Sequence, residues 1–430
     1  VSTPAIGGFL DYCAMPNSNS DHAAARAAMG SGIAALREGR TGPMVRALRT
    51  HLLGQVLAFW ERHAWDERTG SLGTCISDQG VVQSRDKWLW SQWRAVWVFS
   101  RLFRTVEPEP RWLDRARRIA SFCGRHGWLA ETESWALVLD GDGAVKRGRE
   151  SIYTDAFAVY GLAELHRAAP DAGVAAWARR SAEAALRWLA EPYDTLPHFP
   201  YPVPRGAKAH GIPMMWALSF AELGDALDEP RYREAARRLA RESMGDFFRP
   251  AEDAMVEWVG RDGGPWPAPR GTAVVPGHAI EDMWFQLRVL ELTGDNPAVR
   301  AEAVRRMRRH LELGWDERHG GISLAVDLHG AEPVGWDFAE LKLWWPQTEA
   351  MIAVLAAWRE TGDASWLDWY ERLWMLCLDH FVDWENGEWR QKLNRDLTPW
   401  SGVVALPVKD PFHLPRSLIL QIEMLGAHSG

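Results

Sequence analysis

Seven side chains that can move protons or hold oxygens sit at the starts of otherwise apolar segments: Arg94, His210, His278, Glu281, Glu349, His413 and Arg416. His278 opens PGHAIEDMWFQL with Glu281 three residues on, and His413 opens FHLPRSLIL with Arg416 three residues on. Arg94 interrupts KWLWSQWRAVW, Glu349 lies in KLWWPQTEAMIA, and His210 lies in AHGIPMMWALSF. Two imidazoles on opposite walls suit carbon-acid chemistry beside a carbonyl. An α C–H is a feeble acid, so its removal near neutral pH needs a base of matching pKa. It also needs cationic or hydrogen-bonding help for the enediolate oxygen. Inverting that carbon requires a proton from the other face, hence a second imidazole. A carboxylate beside each histidine would fix its tautomer and raise its basicity.

Other chemistries fit less well. Histidine and glutamate are zinc or manganese ligands, but there is no H-E-x-x-H and no dense ligand cluster, so no metal is expected. No G-x-S-x-G elbow, phosphate-binding loop or strand-borne G-x-G-x-x-G occurs, so neither a serine nucleophile nor a nucleotide cofactor is written in the chain. Glycoside hydrolysis wants two carboxylates facing one bond, whereas the paired groups here are imidazoles. Each residue alone also has an ordinary structural use. Glu281 could complete a capping box, Arg94 could pair with Glu349, and Arg416 could anchor the last helix. Their recurrence at equivalent places in successive segments argues for a shared task.

What must position them is a set of about twelve helices, read from period 3.6 and stop signals, near 44–63, 87–104, 111–126, 153–167, 174–190, 212–223, 230–246, 278–292, 297–313, 342–360, 365–381 and 413–426. The even-numbered members start roughly 59 to 71 residues apart, the mark of a repeat. Gly-Asp turns that should cap the next helix join some neighbours (LGDALDEP, TGDNPAV, TGDASWL). Longer connections such as WDERTGSLGTCISDQG and WDERHGGISLAVDLHG read as an acidic turn and a short hairpin. The odd helices carry Arg- and Glu-rich faces and the even ones are apolar on most sides, which predicts an outer and an inner ring. The expected fold is an all-α (α/α)6 barrel in one domain over 1–430, with 1–40 as an N-terminal extension and first-loop region. The long loops and the inner-helix N-termini should then share one end of the barrel, and the site with them.

Composition narrows the partners. A net charge of −8 gives no basic footprint for nucleic acid or anionic membrane. No apolar run approaches a membrane span, and Cys13, Cys75, Cys123 and Cys377 form no C-x-x-C pair, so a reducing, cytoplasmic setting is expected. Tryptophan, 26 of 430 residues, is the outlier; its rings fill helix seams and also stack on sugar C–H faces.

The stretches WSQWRAVWVFSRL, ESIYTDAFAVYGLAEL, PGHAIEDMWF, GWDERHGGI, KLWWPQTEA, GEW and PFHLPRSL resemble, in order, the N-acylglucosamine 2-epimerase superfamily, which also contains cellobiose 2-epimerases and mannose epimerases and isomerases. The resemblance implies C2 epimerisation of a free reducing sugar, without a cofactor, on an (α/α)6 barrel, with a homodimer as an admissible assembly. It makes His278 and His413 the acid/base pair and Arg94 the holder of the open-chain carbonyl end. Glu281, Glu349 and Arg416 fall on supporting or substrate positions, and Trp344, Trp345 and Trp389 on ring platforms. Two departures, SGVVALPVKDP before the last motif and His210 in AHGIPMMW, bear on the sugar's substituents. An aldose–ketose isomerase shares the enediolate. A glycoside hydrolase on the same barrel and a sugar-binding protein without turnover are the readings of other classes.

Overall fold

The helices that are apolar on most faces are the ones that lie innermost, since only a surrounded helix can bury every side. In the computed structural model, which describes residues 18–426, α6 (Ile152–Ala168), α8 (Gly211–Ala226), α10 (Pro276–Thr293) and α12 (Trp344–Thr361) bury long unbroken runs of side chains. With α4 (Leu89–Thr105) and α14 (His413–Gly426) they form the inner ring. Each packs on the next, and α14 returns to α4 to close it.

The outer ring consists of α5 (Pro110–His126), α7 (Ala172–Trp188), α9 (Pro230–Asp246), α11 (Pro297–Gly314), α13 (Ser365–His380) and the stretch 42–63. That stretch runs from α2 (Gly42–His51) through a π-helical turn (Leu52–Leu57) to α3 (Ala58–His63). Outer helices bury one stripe only; α5 buries Trp112, Ala116, Ile119, Phe122 and Cys123 at helical spacing and leaves its arginines outside. The fold is the (α/α)6 barrel.

Two local expectations are corrected. Much of the N-terminal stretch expected as an extension is a further helix, α1 (Ser18–Arg37), which lays Met29, Ile33 and Leu36 against α2 and α13. Gly32 permits the contact, because a Cβ there would come within 2.9 Å of the Met44 Cα. The Gly-Asp turns cap less uniformly than their likeness suggests. Gly224 and Asp225 are still inside α8, and Asn296 rather than Asp295 accepts the first N–H groups of α11. Cys13 lies outside the described residues.

The long connections hold hairpins with strands of two or three residues, too short to stand alone. Buried side chains from the inner helices clip them in place. Gln92 of α4 accepts from the Leu72 N–H and donates to the Leu72 carbonyl, both at 2.9 Å. Gln347 of α12 does the same to Ile322, again at 2.9 Å each. A lysine just before each helix adds an ion pair to the same hairpin, Lys87 with Asp66 and Lys342 with Asp316. These clips hold the loops over the inner-helix N-termini. Replacing Gln347 by Leu strands two buried backbone groups, so the variant is expected to lose about 1–3 kcal/mol in urea unfolding. A wild-type midpoint would show that the clip carries no stability.

Candidate active site

At the loop end, the starts of the inner helices line a cavity of ≈ 190 Å³ whose wall includes Arg94, Tyr153, His278, Glu281, Trp345 and His413. Two imidazoles share one tryptophan there. His278, in the first turn of α10, stacks on the Trp345 ring with centroids 5.0 Å apart. His413, the first residue of α14, packs against the same ring at 5.8 Å. Gly277 makes this approach possible, since a Cβ in its place would lie 2.6 Å from Trp345. Trp344 meets His413 edge-on.

Each imidazole is tethered through Nδ1. His278 Nδ1 lies 3.1 Å from Glu257, and His413 Nδ1 lies 2.8 Å from Glu349. Glu349 also receives Arg416 at 2.7 Å and the Trp284 indole N–H at 3.0 Å. Burial raises the Glu349 carboxyl, opposed by the Arg416 charge and by these donors. With them on its oxygens it accepts from His413, which places the ring proton on Nδ1 and the lone pair on Nε2. The Arg94 guanidinium, 3.3 Å from that Nε2, requires the same tautomer. Burial, aided by the nearby Arg94 charge, pushes His413 down to about 3, so this ring is neutral. His278 keeps a quarter of its side-chain surface exposed, and its Nδ1 donation to Glu257 leaves Nε2 free.

Arg94 is paired. Its Nη1 donates to Asp410 at 2.8 Å, and its guanidinium lies over Phe157 at 4.1 Å. Asp410 in turn accepts the backbone N–H groups of Phe412 and His413, fixing the entry of α14. Burial opposes ionisation of Asp410, but Arg94 and these donors hold its carboxyl below the usual range.

Arg416 lies fully buried beneath His413, bonded to Glu281 at 2.5 Å and Glu349 at 2.7 Å. Glu281, Glu349 and His413 bring ligand-type atoms within 4.8 Å of one another, yet the Arg416 guanidinium bonds to both carboxylates of that trio. Glu281 makes no capping box with the α10 start, because the helix begins at Pro276 and the carboxylate turns to α14.

Two expected contact residues stand away from the cavity. Trp389 is wholly buried and donates its indole N–H to His51 at 2.8 Å, so it offers no platform to a sugar. His210 is also wholly buried and turns from the cavity toward Asp282, 2.9 Å away.

Residues 70–414 match the family described as N-acylglucosamine 2-epimerase (GlcNAc 2-epimerase). The chain belongs to the N-acylglucosamine 2-epimerase family. It is 31% identical to N-acylglucosamine 2-epimerase of Homo sapiens over 381 residues, covering 87% of this chain and 88% of that protein. It is 22% identical to the cellobiose 2-epimerase of Ruminococcus albus over 403 residues, covering 87% of this chain and 97% of the relative. The solved cellobiose 2-epimerase of Bacillus thermoamylovorans superposes with a TM-score of 0.76 at 18% identity, over 88% of this chain and 98% of that one. That structural likeness establishes the double-ring fold.

Within this epimerase-family site, sequence reasoning missed Glu257 and Asp410, the partners of His278 and Arg94. Asp410 stands three residues before His413, and that cap-like spacing was its available signal. Glu257 lies in the bend between two short strands, Ala254–Met255 and Trp258–Gly260, that precede α10, and no local spacing connects it to His278.

Burial also sets an acid limit. It pushes His51, His198 and His310 down to about 4, and His413 to about 3. In an unfolded chain these rings titrate near 6.5. Between those values the unfolded state binds more protons, so stability falls as pH drops from about 6.5 toward 4. His210, raised to about 9, works in the opposite sense: the stability it adds is full below about 6.5 and is lost through about 9. Asp155, raised by burial to about 8, and Glu388, raised to about 7, act in the same sense as His210. Four neutral rings thus stand against three groups, and the urea midpoint should be modestly lower near about pH 5 than near about pH 7. A midpoint higher near about pH 5 would contradict neutral burial of these rings.

Proposed function

We propose that this chain inverts C2 of a free reducing sugar, of N-acylglucosamine/N-acylmannosamine type or an unsubstituted hexose or disaccharide end, by proton transfer between His278 and His413. One observation carries the mechanism: two imidazoles, each tethered through Nδ1 to its own carboxylate, flank one Trp345 ring on the cavity wall. Family membership places the chain among the sugar 2-epimerases, an isomerase class.

The steps balance without a cofactor. The sugar opens to its aldehyde form. One Nε2 takes the C2 proton, and the C2–H electron pair moves into a C1–C2 double bond while the carbonyl oxygen gains the charge. Arg94, at the cavity wall beside the His413 Nε2, supplies positive charge to that oxygen. The opposite imidazole, protonated at Nε2, returns a proton to the other face of C2, and the aldehyde and ring re-form. Trp344 and Trp345 supply apolar faces for the sugar's C–H groups.

A cytoplasmic setting and a single catalytic unit fit this reading. The described cysteines Cys75, Cys123 and Cys377 are buried free thiols, and no described helix is long and apolar enough to cross a membrane.

Turnover of N-acylhexosamines, hexoses and β-1,4-disaccharides in D2O, followed by NMR, tests the proposal through deuterium arriving at C2 of the epimer. His278→Ala and His413→Ala should each cut reversible epimerisation at least roughly 10²-fold in folded protein. Near-wild-type turnover in both directions would remove that residue from the mechanism, and a ketose product would identify the isomerase instead. For Arg94→Lys, kcat should fall more than KM changes, because an ammonium lacks the planar fork. A destabilised but fully active Arg94→Lys enzyme would confine Arg94 to tying α4 to the segment before α14.

A further inference from the structure

Behind His278 the polar groups continue into the protein. The Glu257 oxygen that meets His278 at 3.1 Å also lies 3.7 Å from the Nδ1 of His210. His210 Nε2 then meets Asp282 of α10 at 2.9 Å. His210 and Asp282 are both wholly buried, and neither lines the cavity. The backbone locks the register, since the His210 N–H donates to the Glu257 carbonyl at 3.1 Å.

Asp282 is held as an acceptor on both oxygens. Ser243 of α9 donates to it at 2.6 Å, and Gln286 of α10 at 2.8 Å. His210 therefore stands between two acidic groups, with the Phe247 ring against its face.

We propose that His210 is a positioning residue: carried as an imidazolium between Asp282 and Glu257, it keeps Glu257 a carboxylate and so sets the pH at which His278 exchanges protons, without touching the sugar. This rests on His278 being one of the two proton-transfer groups.

The charges support it. Burial opposes a charge on His210, but the hydrogen bond to Asp282 and the Glu257 carboxylate 3.7 Å from Nδ1 outweigh it and raise the ring to about 9. Burial likewise pushes Glu257 up, and His278 and His210 together bring it down to about 2. Among the described residues the ion-pair partners of Glu257 are these two histidines. The other titratable or charged groups around the chain, among the described residues, are Tyr153 of α6, His198, Tyr201, and His310 and Arg306 of α11. Burial keeps Tyr153 and Tyr201 protonated and His198 and His310 neutral, and Arg306 is paired with Glu302.

Without the His210 charge, Glu257 is left with His278 as its ion-pair partner. Removing a nearby positive charge favours the protonated form of a neighbouring base, which moves the acid limb of kcat upward.

The test is the pH profile of kcat and KM for His210→Asn and Asp282→Asn, with melting temperature on the same preparations and His278→Ala alongside. In both variants the acid limb should rise by about one pH unit, lowering kcat about tenfold on that limb, with KM nearly unchanged. Asp282→Asn keeps the size of the side chain and removes the charge that holds the imidazolium, so it reads the same effect should His210→Asn fail to fold. Wild-type profiles with only a lower melting temperature would overturn the proposal and leave His210 as a tie between α8 and α10. That result beside an inactive His278→Ala overturns the positioning role alone. Wild-type turnover by His278→Ala overturns the proton-transfer reading and this inference together.

Discussion

A guanidinium taken out of water keeps its proton, so wherever one is buried the fold must bring it carboxylates. Arg416 of α14 is wholly buried, and its partners come from two other helices, Glu281 of α10 and Glu349 of α12. Losing the arginine would leave two buried carboxylates uncompensated, a defect of about 3–5 kcal/mol for a broken buried pair. The three helices are thereby fixed relative to one another at the loop end. The tether on Glu349 then gives His413 its tautomer, and α10 brings His278 against the same Trp345 ring. The chemistry is downstream of that one buried cation.

The opposite end of the inner ring uses the same physics. Arg101 of α4 joins Glu423 of α14 and Glu164 of α6, while Glu222 of α8 receives Arg167 of α6 and Arg288 of α10. These pairs stitch neighbouring inner helices by charge, and α12 is left out of the belt. At the loop end the charges instead surround a space, so Arg94, His278 and His413 present unsaturated positions to a ligand. A buried ion pair alone does not make a site; the adjoining cavity does.

The barrel was legible because it is written locally. Apolar runs, one-sided amphipathic helices and a recurring period follow from chain neighbours, and they place the inner-helix starts together. α1 was harder, since its buried stripe of Met29, Ile33 and Leu36 is short and glycines interrupt its alanine-rich stretch. In the site, the residue types and their common end of the barrel could be read, but the pairing could not. Spacing along the helix associated Glu281 with His278, whereas the ion pair forms across the ring to Arg416. Glu257 reaches His278 from the bend between two short strands, a proximity set by tertiary packing alone. Trp389 shows the same limit. Tryptophans that fill seams and those that face a ligand look alike in sequence, and only burial separates Trp389 from Trp344 and Trp345.

The central claim is geometric: the Nε2 atoms of His278 and His413 approach one carbon from opposite faces. A crystal structure with an acyclic alditol, which mimics the opened sugar and cannot react, measures this directly. The expected result is C2 between the two imidazoles, each Nε2 within about 3–3.5 Å, with the C1 oxygen on Arg94. An alditol seated in the cavity with both Nε2 atoms on the same face of C2, or with one of them out of reach, would contradict it.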